Sequence, residues 1–370
     1  MNKIKWQYYI AAPREDISPS PEELCLPLEG DLAQTSYRQY FETIKAFVSQ
    51  EDYHLLYKAI CQQYGITNHQ ISQVILRAEK HGAFYHPASI ECVSNRGQFK
   101  FGVNVATHPE GKKWLKRESI LIQHLNKKFK WGYLPKVYHA DSKNGMFLVL
   151  CEWFEGYHEF HLSKDKTGKE QIILWDFQNG YRYLNPNEAY QLFKQITFVL
   201  ILYYDLVTYD QIYPWHHAAG DFIVKTQGAG AEVKLTTVRG YTPIIGFLEQ
   251  EDVNPIFALL FFFLNLTLRM RQDRLDGTKQ VALVGKFCLK PTLEGFLEGL
   301  KQREGELIKT CGLCLTEFVR LLKSFQKEEL YLISKRLLPL YKGKEGFSLL
   351  SKDFENHVDS LYKAIQSYPE

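Results

Sequence analysis

The run Pro214-Trp215-His216-His217-Ala218-Ala219-Gly220-Asp221-Phe222-Ile223-Val224 places three potential ligands or proton carriers in a short polar segment that leads straight into an apolar strand. What flanks it narrows the choice of folds. Upstream, Asn185-Pro186-Asn187-Glu188 is a helix start, with Asn185 as cap and Pro186 in the first turn. The helix is expected to run to about Val207. Ile196, Phe198, Leu200, Ile201, Leu202 and Leu206 make it apolar around most of its circumference, as a helix at the centre of a large lobe must be. Downstream, Phe222 to Lys225 and Val233 to Thr237 are β-like runs separated by the turn Gln227-Gly228-Ala229-Gly230. Helix, polar loop and hairpin follow one another, and polar residues on a loop held by such a scaffold are better functional candidates than the same residues in a core.

The 370 residues exceed the usual size of one domain, so two lobes are expected. Residues 1–36, with Pro13, Pro19, Pro21 and Pro27, are expected to form an irregular arm. Residues 37–81 read as a helical prefix of three segments: Tyr40, Phe41, Ile44 and Phe47, then Leu55, Leu56 and Ile60, then Ile71, Val74 and Ile75 recur at helical spacing. Ser89 to Val93 and Phe99 to Ala106 read as a hairpin across Asn95-Arg96-Gly97. A helix from about Lys112 to Lys127 buries Trp114, Ile120, Leu121 and Leu125 in this reading. Leu134 to Tyr138 and Met146 to Trp153 are two further strands joined by Ser142-Lys143-Asn144-Gly145. Past residue 156, a short β segment at 172–183 precedes the central helix. After the hairpin the chain reads as helical throughout, with helices at 254–271, 292–301 and 305–325 and on to about Gln366.

Composition closes off several functions. A net charge of +3, with no basic block, argues against a nucleic-acid partner. The longest apolar run, Ile256 to Leu264, falls well short of the roughly 20 residues that a membrane helix needs. Seven scattered cysteines form no disulfide framework, and without a signal peptide the expected location is cytoplasmic. Cys311-Gly312-Leu313-Cys314 lacks a second pair or a nearby histidine to complete a zinc site and reads as two small helix residues.

Strand, helix carrying Glu118, strand, strand, then Cys151-Glu152-Trp153-Phe154-Glu155-Gly156 resembles the small lobe and hinge of protein-kinase-like proteins. The helix, loop and hairpin around residue 216 resemble the catalytic segment of the aminoglycoside and choline phosphotransferase branch. The resemblance implies an α+β, two-lobed fold: a small β-sheet lobe over 82–151, a hinge at 152–156 and a mainly helical lobe over 157–370. It also assigns residues. Asn104 stands where the family carries a Lys or Arg, and Glu118 matches its ion-pairing carboxylate. Cys151 guards the back of the adenine pocket, and the backbones of Glu152 and Phe154 face the base. In the phosphotransferase pattern His-Gly-Asp-x-x-x-x-Asn, His216 falls on the proton-accepting Asp and Asp221 on the magnesium-binding Asn.

Three charged parts depart from that pattern. Histidine replaces the base, Asn104 replaces the cation, and the second metal carboxylate falls on Thr237. Arg239 is a better replacement cation than Lys100, which shares the strand parity of Asn104 but lies about 13 Å back along the strand, and no glycine-rich phosphate loop is evident. His216 and His217 have a structural reading too, one satisfying a loop backbone and the other packing beside Trp215. Zinc held by His216, His217 and Asp221 fits in ligand type, but adjacent histidines diverge and no fourth ligand is visible. Glu118 reads equally as a solvated or locally paired helix carboxylate, with Lys116 and Arg117 beside it. The leading expectation is a degenerate kinase-like protein, a pseudokinase with a regulatory or assembly role through a protein partner. The alternative is an active phosphotransferase using ATP and Mg on a small-molecule or protein acceptor. In that reading His216, with His217 beside it, is the base, Asp221 the metal ligand and Arg239 the phosphate cation.

Overall fold

The computed structural model describes every residue except 1–3, 13, 14, 68, 69, 80, 81, 83, 177, 178, 229, 245, 247–252, 279 and 370. The chain divides into two compact units, Met1–Glu155 and Gly156–Glu370. Together they form an α+β protein in which the first unit is built on a sheet and the second is mainly helical.

The first unit runs β1 (Lys5–Ile10), α1 (Tyr37–Val48), α2 (Gln50–Tyr64), β2 (Ile71–Ala78), β3 (His86–Ser94), β4 (Gly97–Ala106), α3 (Pro109–Phe129), β5 (Val137–Lys143) and β6 (Met146–Glu152). The strands form one sheet in the order β1-β2-β3-β4-β6-β5, antiparallel except for the parallel β1/β2 pair. Strand alternation sorts its two faces. Phe99, Phe101, Val103 and Val105 of β4 and Met146, Leu148 and Leu150 of β6 pack with Tyr40, Phe41, Ile44 and Phe47 of α1 and Leu56 and Ile60 of α2. Phe147, Val149 and Cys151 of β6 turn to the other face, where Leu115 of α3 covers them. The β5–β6 hairpin turns at Asn144 (φ 47°) and Gly145 (φ 77°), two left-handed residues in a row, as a tight hairpin turn of this hand requires.

Four expectations for this unit are corrected. The strand expected at 134–138 is Val137–Lys143, so Ser142 and Lys143 pair with Phe147 and Met146 and the turn shrinks to Asn144 and Gly145. Residues 71–78 are a strand, not a third helix: Val74, Leu76 and Ala78 are buried at every second position, and their β-branched neighbours suit the pleat. The N-terminal arm is not irregular throughout, because β1 pairs with β2 from Lys5↔Gln73 to Ile10↔Ala78. On α3 the buried stripe is Leu115, Glu118, Ser119, Ile122 and Leu125, while Ile120 is 57% exposed. The helix is rotated from its purely apolar phase so that a carboxylate and a hydroxyl lie on the buried side.

The second unit opens with β7 (Glu159–Lys164), β8 (Glu170–Trp175) and β9 (Arg182–Tyr183), an antiparallel sheet of which only the later part was expected. α4 (Pro186–Leu202) starts with a full capping box: Asn185 accepts the Asn187 and Glu188 N–H groups, and Glu188 accepts the Asn185 N–H. It ends at Leu202, short of Val207, because Asp205 draws the Val207 and Thr208 N–H groups into a turn. Two-residue β10 (Gln211–Ile212) leads into the 213–221 loop. β11 (Phe222–Gln227) and β12 (Gly230–Leu235) form the hairpin, whose turn residue Ala229 lies outside the described residues, and β13 (Tyr241–Thr242) pairs back to β10.

Beyond it come α5 (Pro255–Met270), β14 (Gln272–Arg274), β15 (Val281–Leu283), α6 (Leu289–Gln302), α7 (Glu304–Cys311), α8 (Leu315–Ser324), α9 (Lys327–Lys335) and α10 (Phe347–Gln366). The β14–β15 hairpin corrects the all-helical expectation; Gly277, at φ 73°, supplies its left-handed turn residue. Gly312 at φ 70° likewise splits the expected 305–325 helix. Cys311 and Cys314 therefore end one helix and cap the next, rather than lying inside one. α6 crosses α4 at Gly295 and Gly299, and Arg303 donates to the Ile201 and Tyr204 carbonyls at the end of α4. No helix among the described residues is long and apolar enough to cross a membrane.

Candidate functional site

In the second unit the 213–221 loop is fixed from below by α5. Arg269, in the last turn of that helix, donates to the Trp215 carbonyl from Nε (3.0 Å) and Nη2 (2.7 Å) and to Gln272 from Nη1 (2.7 Å). The loop then makes a wide turn through residues 217–221. Gly220 is needed there twice over: its φ is 69°, and a Cβ would come within 2.8 Å of Glu159 Oε1.

Asp221 is the buried charge of this loop, with 1% of its surface exposed. Its Oδ2 accepts the His216 backbone N–H (2.8 Å), and its Oδ1 accepts the Thr237 hydroxyl (3.0 Å) and the Arg239 guanidinium (2.5 Å). Burial raises its pKa to about 6, held back by Arg239, the His216 N–H, Thr237 and Arg269, so the carboxylate is ionised at pH 7. Thr237, which the sequence resemblance sets where a second metal carboxylate was expected, supplies a donor to Asp221. Both oxygens of Asp221 are engaged by protein groups.

The two histidines separate. His216 is partly buried with Arg269 Nη2 at 2.6 Å from its Nδ1. Burial, then the positive charges of Arg269 and Arg239, lower its pKa to about 3. It is neutral at pH 7, and the same guanidinium nitrogen also lies 3.1 Å from Nε2, so Arg269 is within reach of both ring nitrogens. His217 is fully buried among Phe193, Trp215 and Phe160, with ring centroids 5.8, 5.4 and 6.5 Å away. Its Nε2 lies 3.0 Å from Met270 Sδ, and burial lowers its pKa to about 3 as well. Among the described residues no group of three or more His, Cys, Asp or Glu side chains is arranged to hold a metal ion.

The remaining candidates lie in the first unit. Asn104, half-buried on β4, pairs with Val149 of β6 and shares the sheet face that Leu115 of α3 covers. Glu118 is buried on the same stripe of α3 as Leu115. Cys151, paired across the sheet with Gly102, directs Sγ to the Gly102 carbonyl (3.6 Å). Its thiol pKa is pushed up to about 12 by burial, then by the charges of Glu152 and Glu118. The Glu152 N–H donates to the Lys136 carbonyl (2.8 Å), and its carboxylate accepts the Lys136 N–H (3.1 Å). Phe154 is half-buried. Within each unit some of the assigned residues gather: Asn104 and Cys151 on one sheet face with Glu118 on the helix that covers it, and His216, Asp221 and Arg239 around one loop. Arg269 and Glu159 were missed. Arg269 ends the apolar helix, where a cation closing a long apolar run was the available signal; Glu159 is far from the loop in sequence and carried none.

No protein-family model and no curated protein matches the chain. Among solved structures, a protein named as a fructosamine-3-kinase of Haemophilus somnus is similar over 82% of this chain and 96% of its own, with 10% identity and a TM-score of 0.27. A kinase domain is similar over 79% of this chain and 85% of its own, with 12% identity and a TM-score of 0.26. At such scores neither similarity carries weight for fold or function.

Proposed function

We propose that this chain is a kinase-like protein whose transfer centre is closed by its own side chains, and that it acts by binding a protein partner rather than by moving phosphate. The kinase-like part rests on connectivity. Strands β2, β3 and β4, the Glu118 helix α3, and strands β5 and β6 follow the family's small-lobe order, and α4, the polar loop and the β11–β12 hairpin follow the order of its catalytic segment. The loss of transfer rests on one observation: the Arg239 guanidinium engages Asp221, the residue the family pattern gives to magnesium. Phosphoryl transfer depends on metal and cation offsetting the charge of the triphosphate. In this reading the side chain offered as the replacement phosphate cation is spent on the metal's carboxylate. His216 supports the same conclusion, since a pKa of about 3 leaves it a poor proton acceptor for a hydroxyl at neutral pH.

Thermal-shift measurements with ATP and MgCl2 or MnCl2 test the reading. A ligand at a hundred times its Kd adds about 2.7 kcal/mol to folding stability, a shift of several degrees. No such metal-dependent shift is expected in the parent. Arg239→Ala, which exposes Asp221 to a replacement cation, is expected to gain a Mn2+ response. A metal-dependent shift in the parent that Asp221→Ala abolishes would overturn the proposal in favour of an active phosphotransferase.

A further inference from the structure

The first unit holds a cavity of about 370 Å3 on the α1 side, lined by Thr35, Gln39, Glu42, Thr43, Thr107 and Asn144 among others. That volume lies within the range of small-molecule sites. None of the candidate residues above lines it.

The chemistry of its walls is one-sided. Its lining includes no lysine, arginine or histidine. Glu42, on the solvent side of α1, makes no hydrogen bond or ion pair among the described residues. Behind the wall lies Asp31, buried, accepting the Thr107 hydroxyl at Oδ1 (2.5 Å) and the Thr35 N–H at Oδ2 (2.7 Å). Burial alone would raise its pKa, but the bonds from Thr107 and Thr35, including the Thr35 hydroxyl, outweigh it and hold the carboxyl below its ordinary range. His86 reaches Asp31 Oδ1 from within the protein at 3.3 Å. Because both threonine hydroxyls spend their protons on Asp31, they offer only lone pairs to anything else. The Gln39 carbonyl is occupied by the Ser36 N–H (3.1 Å), and Asn144 Nδ2 is directed at Thr43 Oγ1 (3.4 Å). The wall thus offers the lone pairs of Thr35 and Thr107 and one unpaired carboxylate and is backed by a second carboxylate, while its donors are the neutral Gln39 and Asn144 amides and the Thr43 hydroxyl. An anion such as phosphate would meet two negative charges and no lysine, arginine or histidine on the wall.

We propose that this cavity binds a small organic cation bearing a primary ammonium group, with Glu42 as its charge partner and the Thr35 and Thr107 oxygens as further acceptors. Ammonium donates three hydrogen bonds and accepts none, which complements this wall. The site is independent of the Asp221 loop and stands or falls separately from the absence of phosphoryl transfer.

Three probes that share a five-carbon skeleton test it by calorimetry on the full chain: cadaverine, 1,5-pentanediol and glutarate. Saturable binding of cadaverine is expected, with neither the diol nor the dianion binding comparably. Glu42 is exposed, so Glu42→Gln is expected to fold normally and to weaken cadaverine by about fivefold, the scale of a partly screened ion pair. Glu91→Gln, on β3 away from the cavity, is expected to leave binding unchanged. No saturable cadaverine binding, equal affinity in Glu42→Gln, or matching affinity for glutarate or the diol would each overturn the proposal.

Discussion

The Arg239 guanidinium meets the Asp221 carboxylate at 2.5 Å, and the two differ sharply in surroundings: Arg239 keeps about a quarter of its side chain in solvent, while Asp221 keeps 1%. Removing the exposed partner therefore leaves the buried charge with two neutral donors, Thr237 and the His216 N–H, and the more distant Arg269. Arg239→Ala is expected to destabilise the chain by about 3 kcal/mol, the scale of breaking a buried ion pair. Adding Asp221→Ala should recover part of that loss, because the uncompensated charge disappears. Urea unfolding of the two single variants and the double variant measures the coupling, and strictly additive losses would contradict it.

Acid is expected to unfold this protein early. His216, His217 and His357 all have folded pKa values near 3, lowered first by burial and then by Arg269 or Arg271, against an ordinary 6.5. A depressed histidine contributes stability that is complete above pH 6.5 and is lost as pH falls toward 3. At pH 5 each costs about 2 kcal/mol. Asp221 works the other way, since a carboxyl raised to about 6 is relieved by protonation as pH drops from 6 to 4. Three groups outweigh one. Unfolding midpoints in urea should fall steeply between pH 7 and pH 5, and His357→Gln should flatten that slope whatever it does to stability at pH 7.

The fold was legible where local rules decide it. Asn185 and Glu188 announced α4 through a capping box, and Gly228 and Gly230 announced the β11–β12 turn. Residues 71–78 misled because Ile71, Val74 and Ile75 sit at helical spacing, while the competing period-2 set of Val74, Leu76 and Ala78 is the one that meets α1 and α2. Choosing between the two needs the partner surface, which sequence does not display. The site was legible as a list of residues but not as a set of pairings. Arg239 follows Asp221 by 18 positions, and only the hairpin between them brings its guanidinium onto the carboxylate. Arg269, which adds to burial in lowering the pKa of His216, lies 53 residues from it.

The α4–α6 crossing is expected to tolerate nothing larger than glycine at two positions. A Cβ at 295 would lie 2.0 Å from the Lys194 carbonyl oxygen, a backbone atom, and one at 299 would lie 2.2 Å from Ile201 Cγ2. Gly295→Ala has the less yielding neighbour and should cost about 3 kcal/mol, at the upper end of overpacking, with Gly299→Ala somewhat less. Gly305, in α7, has nothing within 4 Å of its Cβ position, so Gly305→Ala should stabilise by up to about 1 kcal/mol through helix propensity alone. Thermal melts of the three variants separate packing from propensity.

Cysteine labelling probes both units at once. Cys25 and Cys61 are exposed, Cys311 and Cys314 are half-exposed, and Cys92, Cys151 and Cys288 are buried. Burial drives each of the last three thiols up to about 12, so at pH 8 they hold almost no thiolate, and thiolate is the reactive form. With an aromatic disulfide reagent the native chain should show two fast thiols and two slower ones, with the remaining three released only on unfolding. Cys151 is the informative member, because its Sγ rests on the Gly102 carbonyl with Glu118 adding negative charge nearby. Glu118→Gln removes that charge but not the burial, so Cys151 should stay protected. Rapid labelling of Cys151 in the native parent would mean that the α3 face of the sheet is open to solvent, contrary to its packing under Leu115.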